Sequence, residues 1–449
     1  MATTVRDVPV VPGRLPLLGH AHHLLRDPLP LVASLGGHGP FTRFHLGTRP
    51  VLFLADLGHV REATQLPDEV FTRERITRNV RFLVGGAVAV LSGTDHRVRR
   101  RLLAPSFRSE RITRGTAVMS RVAGETVERW QPGQRLLFNE TAFDLSLATL
   151  TGAMIGVELP EGLGDRIRTA TGTIIAGLPS RVLLPKPLLR APTPGNRRWL
   201  AVAAGLRSEF AAIVARYRAE DEDRGDMLSA MLLFRDPETG ATLGDDEIVD
   251  ELIGMVIAGG DSPAGMLAFA IGEIARRPAL DEAIRAEALA VAGQEPIALE
   301  HVRALELTNR VIAETLRHYA PWINLQDAVT DIEIGGLPIP AGQTVGFSLN
   351  LLAHDPAVFE NPQRFDPARW NGGEEEADPR LAEHALPFSV GRRKCPGEAF
   401  ARAELAIQIA TIVRRWALRP APGAPEVVPV PNGVALTPSP MHLVVHAPG

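Results

Sequence analysis

The chain has 449 residues, with 48 Lys+Arg against 52 Asp+Glu for a formal net charge of −4, and one cysteine, Cys395. A single thiol excludes an internal disulfide framework and a four-thiolate zinc or iron–sulfur site, and the near-neutral balance argues against a nucleic-acid binder. Hydrophobic residues at 45% and charged ones at 22% are those of an ordinary globular protein.

Met1 to Gly19 lacks the basic start and continuous apolar stretch of a signal peptide. No segment reaches the ~18 uncharged apolar residues of a membrane span, so the expectation is a soluble, cytoplasmic chain with no membrane anchor. Pro9 to Gly19 is too rich in Pro and Gly for helix and reads as an extended surface arm. Phe41 to Gly47 and Val51 to Leu54 form a strand pair around a Gly-containing turn. Helical patterns dominate from about residue 95 to residue 320, and a second run of strand signal spans Ile332 to Val345. The acidic run Glu374 to Asp378 reads as a solvated loop. With no internal repeat and no linker, residues 1–449 are expected to form one large, mainly helical unit with small β-sheets.

The most informative helix starts at Asp245-Asp246-Glu247, acids that suit a helix N-terminus, and ends at Arg276-Arg277-Pro278. At 1.5 Å per residue it is on the order of 45 to 50 Å long. Ile248, Leu252, Met255, Val256 and Gly259 set one apolar face inward. Its centre, Ala258-Gly259-Gly260-Asp261-Ser262-Pro263, carries four residues that weaken a helix interior, which predicts a local disturbance and a groove for a small ligand.

Around the thiol the sequence is Pro387-Phe388-Ser389-Val390-Gly391-Arg392-Arg393-Lys394-Cys395-Pro396-Gly397. Downstream, Leu405, Ile409, Ile412, Val413 and Trp416 fall at helical spacing, so a helix starts just after Cys395 with Pro396 in its first turn. The helix dipole and three neighbouring cations lower the thiol pKa, and the expected species is a thiolate. A lone cysteine is more often buried and structural, but three cations and two glycines in so short a stretch point the other way.

Phe388, Gly391, Arg393, Cys395 and Gly397 match every fixed position of the haem-binding signature of cytochrome P450, and the chain resembles that family of haem-thiolate monooxygenases. The resemblance implies that Cys395 is the proximal iron ligand, that Phe388 packs by the sulfur, that Gly391 and Gly397 let the loop approach the porphyrin, and that Arg393 pairs with a propionate. Glu314 and Arg317, at i and i+3, with Arg369 in Phe365-Asp366-Pro367-Ala368-Arg369-Trp370, match the family's buried ion network. His96 and Arg100, at i and i+4, match positions that donate to haem propionates. Arg97, Arg101, Arg392 and Lys394 would build a basic surface for an acidic electron donor. Ala258 to Ser262 aligns with the family's oxygen-side groove, making Asp261 and Ser262 the proton-delivering pair. Ser262 replaces the usual Thr, and Gln326 stands where relatives often carry a propionate-binding Arg.

What the resemblance implies is a cytochrome P450 fold around haem b (iron protoporphyrin IX), with one atom of O2 inserted into a C–H or C=C bond. Substrate contacts would come from Phe82, Leu83 and Val84 in the loop to Ala89, from Met255, Ala258 and Gly259, from Trp322, Ile323 and Asn324, and from Val434. These residues are mostly apolar and favour a lipophilic substrate such as a terpenoid or polyketide. No flavin or nicotinamide fingerprint is present, so electrons are expected from a ferredoxin-type donor with its NAD(P)H reductase, acting on a monomer. A serine hydrolase reading of Gly260-Asp261-Ser262-Pro263-Ala264 fails because a nucleophile elbow needs a strand-to-helix turn. A non-catalytic haem-thiolate sensor is the alternative from another class.

Overall fold

Phe41–Leu46 (β1) and Arg49–Leu54 (β2) pair antiparallel, and Gly47 in the turn adopts φ +64°, a conformation that a side chain disfavours. In the computed structural model, which describes residues 4–78, 81–183, 186–220, 222–238, 240–373 and 378–448, these strands open a five-stranded sheet. Glu374 to Ala377 of the acidic run lie outside the described residues. Phe71–Thr72 (β3), Asn324–Ala328 (β5) and Thr344–Phe347 (β8) complete the order β1-β2-β8-β5-β3, with β2 and β8 parallel. Arg135–Leu137 (β4), Ala417–Pro420 (β9) and His442–His446 (β12) form a second sheet; Ile332–Ile334 (β6) pairs with Leu337–Ile339 (β7), and Pro429–Asn432 (β10) with Ala435–Pro438 (β11). The N-terminal arm bridges Val10 to Arg43 and Gly19 to Leu46, and it buries Val11 while leaving Leu17 exposed.

Helices make up most of the rest. The long helix is Asp245–Ala275, with the Gly244 amide donating to Glu247 Oε2 at 3.0 Å in its first turn. It is long and apolar enough to cross a membrane, yet Ile248, Leu252, Ile253, Val256, Leu267 and Ile271 are all at most 1% exposed in the main apolar core. Packing of this kind outweighs the breaker. The helix continues through Pro263 without interruption, and the expected disturbance shrinks to the one bond that proline cannot donate to the Gly259 carbonyl, against an ordinary cost of ~3 kcal/mol or more.

The helix after the cysteine, Glu398–Arg415, buries Leu405, Ile409, Ile412 and Val413 in the same core. Its first turn begins at Glu398 with Gly397 as cap, so Pro396 lies outside it, contrary to the sequence expectation. Two further helices, Leu163–Leu183 and Pro194–Glu220, pack on each other, and the second also packs on the long helix; they are called the cover helices below. A basic helix, Gly93–Leu103, carries His96 and Arg100.

Candidate active site

The thiol loop is closed by its own backbone: the Cys395 amide donates to the Phe388 carbonyl at 2.9 Å and the Lys394 amide to that of Gly391 at 3.2 Å. Ser389 and Gly391 both take positive φ, +61° and +71°. A Cβ on Gly391 would sit 2.1 Å from the Thr64 carbonyl oxygen, so the helix Leu57–Gln65 demands this glycine by itself. A Cβ on Gly397 would meet only ordinary contacts, Phe107 at 3.7 Å and the Cys395 sulfur at 3.8 Å. Phe388 is half-buried, with the Arg402 guanidinium over its ring.

Cys395 is solvent-accessible, and nevertheless burial pushes its thiol above the ordinary value. The direction expected for the thiol of the chain by itself is therefore corrected: burial outweighs Arg100 and Lys394, which do lower the thiol pKa, and the three neighbouring cations also have acceptors of their own. Arg392 Nε donates to the Gln65 carbonyl at 3.4 Å, Arg393 pairs with Asp68 at 3.3 Å, and Lys394 pairs with Glu398 at 2.8 Å. A thiolate here needs a charge placed directly on sulfur, as a metal supplies.

Above the loop lies a cationic cluster that the sequence reading only half recovered. Asp68 is buried and takes both His96 Nδ1 at 2.9 Å and Arg393 Nε at 3.3 Å. Arg393 Nη1 also donates to the Leu91 carbonyl at 2.8 Å. Arg100 is half-buried with no carboxylate partner among the described residues, and its charge reaches His96, Arg393 and Cys395. The missed residue is Arg73, whose Nε is buried without a hydrogen bond and whose pKa is lowered to about 10 by burial and by Arg393. Arg73, Gln326, Asp68 and Arg393 share the wall of one small cavity. Nothing in the spacing of Phe71-Thr72-Arg73 marks that arginine. Burial lowers the His96 pKa, and its Nδ1–H is taken by Asp68, so its Nε2 donates to a carboxylate only as imidazolium.

On the long helix, Ala258 and Ser262 are exposed at i and i+4, with Met255 and Asp261 partly exposed and Val256, Gly260 and Pro263 buried. Burial pushes the Asp261 pKa up to about 6, and its Oδ2 accepts from Asn432 Nδ2 at 2.7 Å. The Ser262 hydroxyl has no bond to Asp261 among the described residues. Gly259 faces elsewhere: a Cβ there would meet Leu150 at 3.3 Å, so its expected pocket role is corrected to helix packing.

Other expected pocket residues also separate. Trp322 and Ile323 are buried with Phe44, Phe53 and Tyr319 in an apolar cluster, which removes them from the pocket surface. Trp322 donates through its backbone amide to Val434 O and through Nε1 to Gly433 O, both at 3.0 Å, and so anchors the β10–β11 hairpin. Asn324 is partly exposed and Val434 is 56% exposed. The short helix Arg81–Val84 carries Phe82, Leu83 and Val84; Val84 is partly buried against the main core, and the side chains of Phe82 and Leu83 lie outside the described set. The loop that follows is clasped by the long helix, with the Gly86 amide donating to Asp250 at 2.7 Å and the Val88 amide to Glu251 at 2.8 Å. Gly254, unmarked by the sequence reading, lets this loop approach: a Cβ there would stand 2.7 Å from that of Ala87.

Glu314, Arg317 and Arg369 come together as one network. The Glu314 carboxylate accepts from Arg317 twice at 2.8 Å, from Arg369 at 3.3 Å, from the Asp366 amide at 2.8 Å and from Trp370 Nε1 at 3.0 Å. The expected basic docking surface is corrected to a mixed one, since Arg97 pairs with Glu69, Arg101 with Glu238 and Lys394 with Glu398.

A mainly helical fold with an accessible thiol in a tight loop, and a cluster of buried cations around Asp68, suits a haem-thiolate class of protein, and the comparisons with known proteins agree. The cytochrome P450 family model matches residues 9–445. Cyclooctat-9-en-7-ol 5-monooxygenase of Streptomyces melanosporofaciens is 33% identical over 92% of this chain and 90% of its own length. Pentalenene oxygenase of Streptomyces avermitilis is 31% identical over 93% of each chain. The crystal structure of the cytochrome P450DA heme domain shares the fold at a TM-score of 0.84, with 23% identity over 98% of both chains. The chain belongs to the cytochrome P450 family and is a cytochrome P450 monooxygenase.

Proposed function

We propose that this monooxygenase oxidises a C–H or C=C bond of a terpenoid, in the cytoplasm, with haem b held by Cys395 and electrons from a ferredoxin-type donor and its NAD(P)H reductase. The terpenoid reading is supported by the printed activities of the relatives at 31% to 33% identity and by the apolar residues at the candidate pocket. The single observation that carries cofactor placement is the charge imbalance beside the thiol. Arg73 and Arg393 act on one carboxylate, Asp68, while among the described residues Arg100 has no carboxylate partner and the buried Arg73 Nε has no hydrogen bond. A dianionic porphyrin carrying two propionates fits that surplus.

When bound, haem supplies oxygen activation, and the rest falls to the chain's own residues. Cys395 would ligate iron as thiolate, a state the metal's charge stabilises against burial. Arg73, Arg100 and Arg393 would hold the propionates. Arg73 would thereby take up the task that Gln326 cannot perform. Asp261, with its carboxyl raised to about 6, is poised to hold a proton near neutral pH and to pass it, with the Ser262 hydroxyl, toward the oxygen side. Met255, Ala258, Asn324 and Val434 would offer the substrate an apolar surface with one amide.

The CO difference spectrum of the reduced protein tests thiolate ligation, and Cys395→Ser should lose the high-wavelength Soret band. Terpenoid hydrocarbons and alcohols are then screened for a low-to-high spin shift, followed by turnover with mass detection. A panel of terpenoids that neither shifts the spin state nor turns over, with polyketides doing both, would overturn the substrate class.

A further inference from the structure

Asp261 has one polar side-chain contact among the described residues, and it comes from the far end of the chain. Asn432 closes strand β10 and donates through Nδ2 to Asp261 Oδ2 at 2.7 Å. The hairpin that carries it is fixed on the long helix one turn further on, where the missing side chain of Gly265 leaves room: a Cβ there would meet Thr437 Cγ2 at 3.2 Å and the Leu436 carbonyl at 3.4 Å. From the other side Trp322 holds the Gly433 and Val434 carbonyls. The reach of Asn432 to Asp261 is thus set by three anchors on the hairpin and does not depend on a freely moving surface amide.

We propose that Asn432 is a positioning residue that fixes the Asp261 carboxyl for proton delivery; this rests on the reading of Asp261 and Ser262 given above. The chemistry suits the task. A carboxamide does not titrate in the working range, so it orients the acid without competing for its proton. Its N–H engages Oδ2 and leaves Oδ1 to release a proton and regain one from solvent water, which needs no other reactant. Donation to the carboxylate favours the charged form, opposing the burial that raises this group. No charged side chain from the hairpin, from the helix Phe138–Thr149 or from the cover helices pairs with Asp261 among the described residues, and the Asn432 amide is the one side chain bonded to it there.

Three variants are compared as reconstituted holoenzymes: Asn432→Ala, the isosteric Asn432→Asp, and Asp261→Asn. The readouts are the CO difference spectrum, the substrate-induced spin shift, peroxide released per NAD(P)H across pH, and the infrared carboxylic acid stretch that Asp261→Asn removes. Asn432→Ala should keep the first two, raise peroxide release several-fold, and move the infrared midpoint of Asp261 upward by about one pH unit, because the carboxylate loses its donor. Asn432→Asp should move it further, since a like charge adds to the loss of the donor. An unmoved midpoint together with parental coupling in whichever variant folds overturns the proposal. Loss of the haem spectrum in both also overturns it, as that marks a structural residue. If Asp261→Asn itself leaves coupling unchanged, it is the proton-delivery reading that fails, and the infrared midpoint still reports whether Asn432 holds the carboxyl.

Discussion

Glu314→Gln removes the one negative charge that Arg317 and Arg369 share, at a site where the Glu314 and Arg317 side chains are both 0% exposed. The substitution keeps the shape, turns one acceptor oxygen into a donor, and leaves at least two of the surrounding N–H groups without an acceptor. Arg317 retains the Ala353 carbonyl at 2.8 Å but loses its counter-ion. Breaking a buried pair from one side costs about 3–5 kcal/mol. Unfolding entropy near 2.1 cal/mol/K per residue makes each degree worth roughly 0.9 kcal/mol in a chain of 449 residues, so the melting temperature should fall by about 3–5 °C. Arg369→Ala, whose side chain is 10% exposed and whose bond to Glu314 is longer at 3.3 Å, should fall by less. Calorimetry on the parent and both variants, in haem-loaded form, decides the matter. A Glu314→Gln melting point within one degree of the parent, or below-parent stability only in Arg369→Ala, would refute the argument.

Glu404 is 0% exposed and burial pushes its pKa up to about 8. Between about pH 4.5 and 8 the unfolded chain releases this proton while the folded chain keeps it, so the parent loses stability as pH rises, at up to ~1.4 kcal/mol per pH unit. Glu404→Gln should flatten that slope in urea melts and be more stable than the parent at the alkaline end; an unchanged slope excludes the assignment. Gly391→Ala should fail to yield the haem spectrum, because its Cβ falls 2.1 Å from the Thr64 carbonyl at φ +71°, and normal haem loading would contradict the geometry. Trp322→Phe deletes the 3.0 Å bond to Gly433 and should cost about 1 kcal/mol. Hydrogen exchange at residues 432–434 should quicken in that variant, and parental rates there would show that the hairpin does not depend on the indole.

What was legible in the sequence is what depends on neighbours along the chain. The long helix announced itself by acids at one end, cations and proline at the other, and an apolar stripe between them. The thiol loop was readable because its special residues lie within ten positions. The placement of Arg73 beside Gln326 on one cavity wall, and of Asn432 against Asp261, 171 residues away, joins segments remote in the chain; no local period encodes either. The thiol's shift runs opposite to the expectation because burial, which depends on segments distant in the chain, outweighs the cations adjacent to it in sequence. The expected break at Pro263 failed because local propensity of ~3 kcal/mol was set against apolar packing along the whole length of the helix.

The clasp on the loop after Val84 is made through backbone amides: Asp250 and Glu251 receive N–H groups of residues 86 and 88 and make no demand on the side chains there. The course of this segment and its amino-acid identity are therefore separable except at Gly85, where a Cβ would stand 1.9 Å from Asp250 Oδ2. A library that randomises the exposed position 89, with Gly85 kept, while leaving Asp250, Glu251 and Gly254 intact should yield a high fraction of folded enzymes on an unchanged path. Diversity introduced on the helix side at those three positions would instead move the path itself, which makes the acids, and not the loop they hold, the boundary within which new substrate preferences can be selected.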